Sequence, residues 1–448
     1  MSDLLSIGAS GVRAYQTALS TVSENIANTG TAGYTRRTTT LAEVSSVGGG
    51  LNARNALSSS GVTVTGIGRS ADAYRSQAVR TAGTDLAKTE AGITWMNRIE
   101  TALGDNQLGD RITGFFTAAQ KLAADPSSEP ARAVMLEAAG TAAAAFTATG
   151  RALDTATADL DSTASQAVQS FNALGTALAR INDGIARTQP GSSIAAQLAD
   201  QRDQMLEQMS TIADITTSFD TLGRTTVRLG GATGAVFVAG GSSEQISYAR
   251  NGEGAVQFAV TGVGGASAVS PTGGALAGFA EGAQRLAAAR GSLNAIASDF
   301  TAKVNAVQAQ GRDLNGTAGA PLFATGATPT DIAVSLTDPR EIAAAGSTGG
   351  PRDASNLAAL QAVRTSGAFE RRTTTLIAGN AAALEQRKVV ADAQGAIRDG
   401  AVSALASASG VDLDSEAVDL LRFQQAYQAS SRVIQTARDT LQTILDLR

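Results

Sequence analysis

The acids Asp154, Asp159 and Asp161 are the first residues whose type could do chemistry, since two carboxylates can divide general acid and base work in hydrolysis. Consecutive members stand five and two positions apart, off one another's face of a helix, so the stretch reads as a solvated helix side. Asp313-x-Asn315-Gly316 has the opening of a calcium loop, but Phe323 and Ala324 occupy the region of the closing Glu, and an ordinary turn is the reading. Gly66-x-Gly68 and Gly230-Gly231-x-x-Gly234 suggest phosphate loops. Neither is followed by Lys and Ser or Thr, and both read as turns. The sequence contains no Cys and no His, which removes disulfides, thiolate chemistry, Cys or His zinc sites and any imidazole base. No catalytic, cofactor-binding or metal-ligating residue emerges, and no cofactor is expected.

Composition narrows the class. The 448 residues suffice for about two to four domains, and a hydrophobic content of 43% can fill real cores. Aromatics are only 4%, so small side chains point to closely packed helices in thin layers and to an elongated molecule. The net charge of -5, with no cluster of Lys or Arg, offers no footprint for nucleic acid or for an anionic membrane. Met1 to Leu4 lacks a basic n-region and no apolar h-region follows, so export without a cleaved signal, or no export, is expected. The uncharged stretch from Ala255 to Ala280 is broken by Pro271 and several glycines and is not a membrane span.

The strongest pattern lies at the two ends. Leu413, Leu420, Tyr427, Ile434 and Leu441 are seven apart, and Phe423, Ser430, Ala437 and Ile444 each follow by three, the a and d seats of a heptad. Asp412 and Asp414 favour a helix N-terminus there. Leu5, Val12, Leu19 and Ile26 repeat the spacing at the start, with Gly8, Tyr15 and Val22 in the second row. Periodicity alone allows these helices to dock on a globular body, to pair with each other, or to meet the same ends of neighbouring subunits. Asn25 to Arg37 then reads as a helix stop, with Asn28 and Gly30 suited to the left-handed conformation and Gly33 to a second turn.

Ala18-Leu19 through Asn25-Ile26-Ala27-Asn28 to Gly33-Tyr34-Thr35-Arg36 resembles the N-terminal signature of the rod, hook and hook-associated proteins of the bacterial flagellum, with Ala32 where that family has Pro. Leu420-Leu421-Arg422-Phe423-Gln424-Gln425-Ala426-Tyr427 is similar to the C-terminal segment of the hook-associated members. Gly61 to Ile67 running into a helix with Asp72, Gln77 and Arg80, Asp200 to Leu206, and Asp313 to Gly316 resemble internal landmarks of the same members.

Between the ends the sequence has its own order. Leu86, Ile93, Met96, Ile99 and Leu103 mark one helix, Leu160 to Ile185 a longer heptad stopped by Pro190-Gly191, and Ala195 to Ile212 a third helix. Period two follows at Ile215 to Phe219 and Thr225 to Leu229. Two more strands meet at a hairpin signal, Asn251-Gly252. Leu286, Leu293, Phe300 and Val307 restore the heptad. Gly311 to Pro351 reads as loops with one short strand, and helices resume near Ala354 and between Leu376 and Leu405.

The expected fold is therefore mainly α with an inserted β domain, in a nested elongated order. Residues 1–40 with 410–448 form a terminal helical assembly domain paired like a coiled coil, 41–213 with 276–409 a helical middle, and 214–275 the β insertion. The resemblance implies an extracellular structural subunit of the hook–filament junction, exported through the flagellar channel. It implies self-assembly, the hook protein on one side, a second hook-associated protein on the other, and a cytoplasmic export chaperone at the C-terminal segment. The assembly interface would comprise Leu5, Val12, Tyr15, Leu19, Val22, Ile26, Leu413, Leu420, Phe423, Tyr427, Ile434, Leu441 and Ile444. The signature positions are Asn25, Ala27, Asn28, Gly33, Tyr34, Arg36, Leu421, Arg422, Gln424 and Gln425. Two alternatives stand beside this reading: a hook or rod protein, or a carboxylate-dependent cell-wall hydrolase.

Overall fold

The computed structural model describes residues 2–44, 61–251, 254–262 and 265–446, with side chains from Leu4 onward. In chain order the elements are α1 (Ser2–Ala27), β1 (Arg37–Glu43), β2 (Val62–Arg69), α2 (Ala73–Gly104), α3 (Leu108–Ala124), α4 (Glu129–Arg187) and α5 (Ser193–Ile212). Seven strands follow: β3 (Ile215–Phe219), β4 (Thr225–Leu229), β5 (Ala235–Ala239), β6 (Ser242–Ser243), β7 (Gln245–Arg250), β8 (Val256–Gly262) and β9 (Gly265–Val269). The chain continues through α6 (Gly274–Gln310), β10 (Phe323–Thr325), β11 (Ile332–Val334), α7 (Ser355–Gly367), α8 (Phe369–Ser409) and α9 (Leu413–Asp446).

Side-chain oxygens start the main helices by taking otherwise orphaned amides. Asp72 accepts from Arg75 N at 3.0 Å before α2, Ser192 from Ala195 N at 3.1 Å before α5, and Asp412 from Ser415 N at 2.8 Å before α9. The last set of amide bonds holds the Asp412 carboxyl below its usual range. Helix α4 runs for 59 residues, about 90 Å at 1.5 Å per residue, and makes the molecule long.

The packing is nested as the order of elements predicts. α1 lies on α9, α2 on α8 and α6, and α4 on α3, α5 and α6. One core joins the middle helices. Phe300, in the heptad row of α6, stands at its centre with Phe369 and Phe323 at 5.3 Å, Phe146 at 5.4 Å and Phe115 at 5.6 Å between ring centroids.

The β insertion forms two antiparallel sheets, β3-β4-β5-β6 and β7-β8-β9, which lean on α4. Phe237 of β5 seats its ring 4.7 Å from that of Phe171 on α4, over Gly175, where a Cβ would stand 2.5 Å from the Phe237 ring. Asp154 of α4 is exposed, as a solvated helix side requires, and Asp161 is half-buried, but both carry ion pairs. Asp154 binds Arg290 Nε at 2.9 Å, and Asp161 binds Arg250 Nε at 2.9 Å and the Tyr248 hydroxyl, tying the insertion to the helix.

Other expectations need correction. Gly66 and Gly68 lie inside β2, opposite Thr40 and Thr38 of β1, not in a turn. Gly66 is required because Gly191, at φ +76, brings its backbone against it, and Ile67 N donates to Gly191 O at 2.6 Å. Gly230 and Gly231, at φ +84 and +87, do form the turn between β4 and β5. Asn28 and Gly30 are not left-handed; only Gly33, at φ +74, is. Asn28 instead caps α1 by donating Nδ2 to Glu24 O at 2.8 Å. Residues 311–351 hold two short strands, β10 paired with β11, not one. Gly252 of the hairpin signal lies outside the described residues.

Candidate assembly interface

α1 and α9 run antiparallel, as four points of approach show. A Cβ on Gly8 would lie 2.6 Å from Ile434 Cγ1, and one on Gly11 2.5 Å from Ser430 Oγ. Tyr15 and Phe423 place their ring centroids 6.4 Å apart, and Asn25 Nδ2 donates to Glu416 Oε2 at 3.0 Å. On α9 these approaches use Phe423, Ser430 and Ile434 of the expected seats and Glu416 besides, while Leu413, Leu441 and Ile444 stay exposed. On α1 the contact follows Gly8, Tyr15 and Val22 but takes Gly11, Ala18 and Asn25 as the second row, one residue before Val12, Leu19 and Ile26. Small residues win that row because they let the two backbones approach. Leu5, Val12 and Leu19 are left half-buried and Ile26 exposed at the edge of the contact.

On α9, Leu420, Phe423, Tyr427 and Ile434 are half-buried in one chain. Leu413 (52%), Leu421 (58%), Ile444 (52%) and Leu441 (40%) remain exposed. Gln424 and Gln425 are also exposed, and Arg422 stacks 4.6 Å over the Phe423 ring while pairing with Asp419.

Of the signature residues, Asn25, Gly33, Tyr34 and Arg36 meet where the terminal pair joins the middle, whereas Ala27, Leu421, Arg422, Gln424 and Gln425 are exposed. Asn25 is fully buried, and its amide closes on the backbone of Arg37: Nδ2 donates to Arg37 O at 2.8 Å and Arg37 N donates to Oδ1 at 2.9 Å. The Tyr34 hydroxyl donates to the same Oδ1 at 2.8 Å. Burial pushes the Tyr34 phenol above its ordinary range; Arg37 opposes this and nearby Glu24, Asp200 and Glu416 reinforce it. Arg36 donates Nε to Glu416 Oε1 at 2.6 Å and reaches Asp419 at 3.3 Å, and its backbone N donates to Ser409 O at 2.8 Å. Gly33 is folded against Gln204, whose Nε2 donates to Ala32 O at 2.7 Å. Ala27 is exposed and takes no part.

Several members of this knot had no individual signal. Arg37 bridges Glu24 and Asp200, each at 3.2 Å, while Arg69 of β2 binds Asp200 at 2.8 Å and Asp203 at 2.7 Å. Glu416, with no solvent exposure, could have been found: it is the one charged residue in the heptad seats of α9. A polar cleft of about 410 Å³ and a more apolar one of about 320 Å³, lined by Val79, Val402 and Leu405 among others, flank the loop at Tyr34. No helix among the described residues is long and apolar enough to cross a membrane, and no acidic cluster among them is arranged to hold a metal ion. Asp313 accepts from Asn315 N at 2.9 Å and Thr317 N at 2.7 Å, as a turn does.

Known proteins are similar to this chain. The family described as "Flagellar hook-associated protein FlgK helical domain" matches residues 96–323, and "Flagellar basal body rod FlgEFG protein C-terminal" matches residues 402–447. Flagellar hook-associated protein 1 of Salmonella typhimurium is 29% identical over 342 residues, 73% of this chain and 60% of the relative. That of Bacillus subtilis is 28% identical over 220 residues, 47% of this chain and 43% of the relative. The chain thus spans less than two thirds of the length of the relatives it matches. The flagellar hook junction protein FlgK from Burkholderia pseudomallei has a similar structure, with a TM-score of 0.50 and 26% identity over 56% of this chain and 47% of that one. With the helical-domain match covering half its length, the chain belongs to the flagellar hook-associated protein FlgK family.

Proposed function

We propose that this chain is a non-catalytic structural subunit of the hook–filament junction, self-assembling outside the cell after passage through the flagellar export channel. The hook protein is its neighbour on one side and a second hook-associated protein on the other. A cytoplasmic export chaperone holds the C-terminal segment beforehand. Residues 1–40 with 410–448 act as the assembly domain, 41–213 with 276–409 as the helical middle and 214–275 as the outward insertion.

The observation that carries this reading is the apolar surface left on the terminal pair. Leu413, Val418, Leu421, Leu441, Ile444 and Leu445 of α9, with Leu4 and Ile26 of α1, are exposed although α1 and α9 already cover one another. Val418 and Leu421 lie on the outer face of α9, and Leu441, Ile444 and Leu445 run past the start of α1; apolar side chains uncovered at both places mark contacts with further chains. Leu5, Val12 and Leu19, half-buried at the edge of the same pair, extend that surface. The FlgK helical-domain match favours the junction over a hook or rod position, and Asp154 and Asp161, two of the three carboxylates that could serve hydrolysis, are engaged by arginines.

The test is complementation of a strain lacking this protein. The deletion is expected to leave hooks without filaments under electron microscopy, and wild type to restore filaments. Leu421→Asp with Ile444→Asp, both at exposed positions, should leave the purified chain folded and fail to restore filaments. Normal filaments from that double variant would overturn the assembly role, and a deletion lacking hooks would move the protein to the hook or rod.

A further inference from the structure

We propose that the free edge of β9 docks against β3 of a second copy, joining neighbouring insertions through a shared antiparallel ladder. This rests on the self-assembly reading above.

Three other strand edges, those of β7, β10 and β1, are closed by asparagines. Asn172 of α4 donates Nδ2 to Ile246 O at 2.9 Å and accepts from Ile246 N at 2.8 Å, sealing the outer edge of β7. Asn305 of α6 does the same for Phe323 of β10, at 2.8 and 3.0 Å, and Asn25 for Arg37 of β1. A side-chain amide has the donor and acceptor of a peptide unit, so each such residue stands in for a missing strand and removes a template for pairing.

β9 is treated differently. The bonds to Asn172 turn the Ile246 backbone groups away from β8, so its partner Val260 points its own groups to β9 and pairs with Ser267. Ala266 and Ala268 therefore direct their N–H and C=O outward. Gly265, Ala266, Ser267 and Ala268 are all exposed, and β9 has no charge, proline or bulge to blunt its edge. The other sheet has a matching edge in β3. Asn182 takes the Thr225 backbone groups, which fixes the alternation so that Thr217 and Phe219 face outward from β4. β3 is also five residues long, uncharged and free of proline, and within one copy it does not pair with β9. Two unlike open edges on one subunit give a head-to-tail contact, the kind that propagates around a ring or helix. Pairing Ala268 with Thr217 and Ala266 with Phe219 satisfies the outward groups of both strands and sets Ser267 opposite Ser218, a close side-chain pair.

The absence of cysteine makes the test clean. Ser267→Cys and Ser218→Cys copies, produced together in cells lacking the wild type, are oxidised in isolated flagella and run without reductant; Thr216→Cys covers the register two residues away. A covalent dimer about ten-fold above either cysteine alone is expected, because assembly holds the thiols at high effective concentration. Ala268→Pro, which removes an outward N–H without touching the β8 ladder, should reduce it several-fold. Incorporation of both copies without a dimer in either register overturns the proposal, as does an equal dimer from Ser267→Cys alone. If no copy, wild type included, is found in flagella, the self-assembly reading fails and the proposal with it.

Discussion

Asn25 on the last turn of α1 and Glu416 on the first turn of α9 share a hydrogen bond of 3.0 Å across 391 positions of sequence, in a seam otherwise made of apolar and small residues. Such a polar layer fixes register, because sliding the helices would strand both groups in the contact. Asn25→Leu would leave Arg37 N and O, the Tyr34 hydroxyl and Glu416 Oε2 without this partner, at a cost of about 3 kcal/mol. Hydrogen exchange should then speed up in α1 and α9 together while α4 keeps its protection. Unchanged exchange in both terminal helices would show that the apolar contacts hold the register alone.

How much of this could be read in advance depends on which contacts leave a period behind. The seats of α9 and the stripe through Leu293 and Phe300 did, since bulky side chains recur at helical spacing on the buried face. The inner row of α1 did not: Gly11 and Ala18 are chosen for closeness, and a pattern weighted by apolar size selects Val12 and Leu19 instead. The knot at Glu416 and Asp200 joins residues from five elements, and sequence spacing does not record such meetings. The asparagine contacts were silent for another reason. Asn172, Asn182 and Asn305 lie within helices, where a polar residue ordinarily signals solvent rather than a strand end.

The close approach itself can be tested at Gly8. Gly8→Val drives a branched side chain into Ile434, with the Cβ already at 2.6 Å, and should cost about 2 kcal/mol, read as earlier thermal loss of helical signal from the terminal pair. Ile434→Ala in the same chain makes room and should recover most of that loss. A double variant no better than Gly8→Val would place the cause elsewhere than in helix contact.

The middle carries an acid-sensitive link. Burial raises the pKa of Glu281 on α6, but bonds from Lys88 of α2 and Arg387 of α8 outweigh it, and the carboxyl ends below its ordinary 4.5. Because the folded value is the lower one, the stabilisation is present above pH 4.5 and is lost as pH falls through the folded pKa. Urea midpoints of the wild type should therefore fall more between pH 6 and pH 3, about the carboxylate range, than those of Glu281→Gln. Parallel falls would remove Glu281 from the account of acid sensitivity.

Asn182 offers the sharpest test of the side-chain amides as structural parts. Fully buried on α4, it donates to Thr225 O at 2.8 Å and Gly240 O at 2.9 Å and accepts from Thr225 N at 2.9 Å. Asn182→Ala orphans three backbone groups in a region with little water to replace the bonds, a loss of about 3 kcal/mol. Asn182→Asp keeps the acceptor for Thr225 N but turns two donors into a carboxylate facing two carbonyls, so it should be at least as harmful despite its matching shape. The readout is exchange protection at Thr225 and through β4 and β5, which should fall in both variants while β8, held by Asn172 through β7, stays protected. If Asn182→Asp were harmless, shape rather than hydrogen bonding would be holding β4 on the helix, and the same doubt would extend to Asn172 and Asn305.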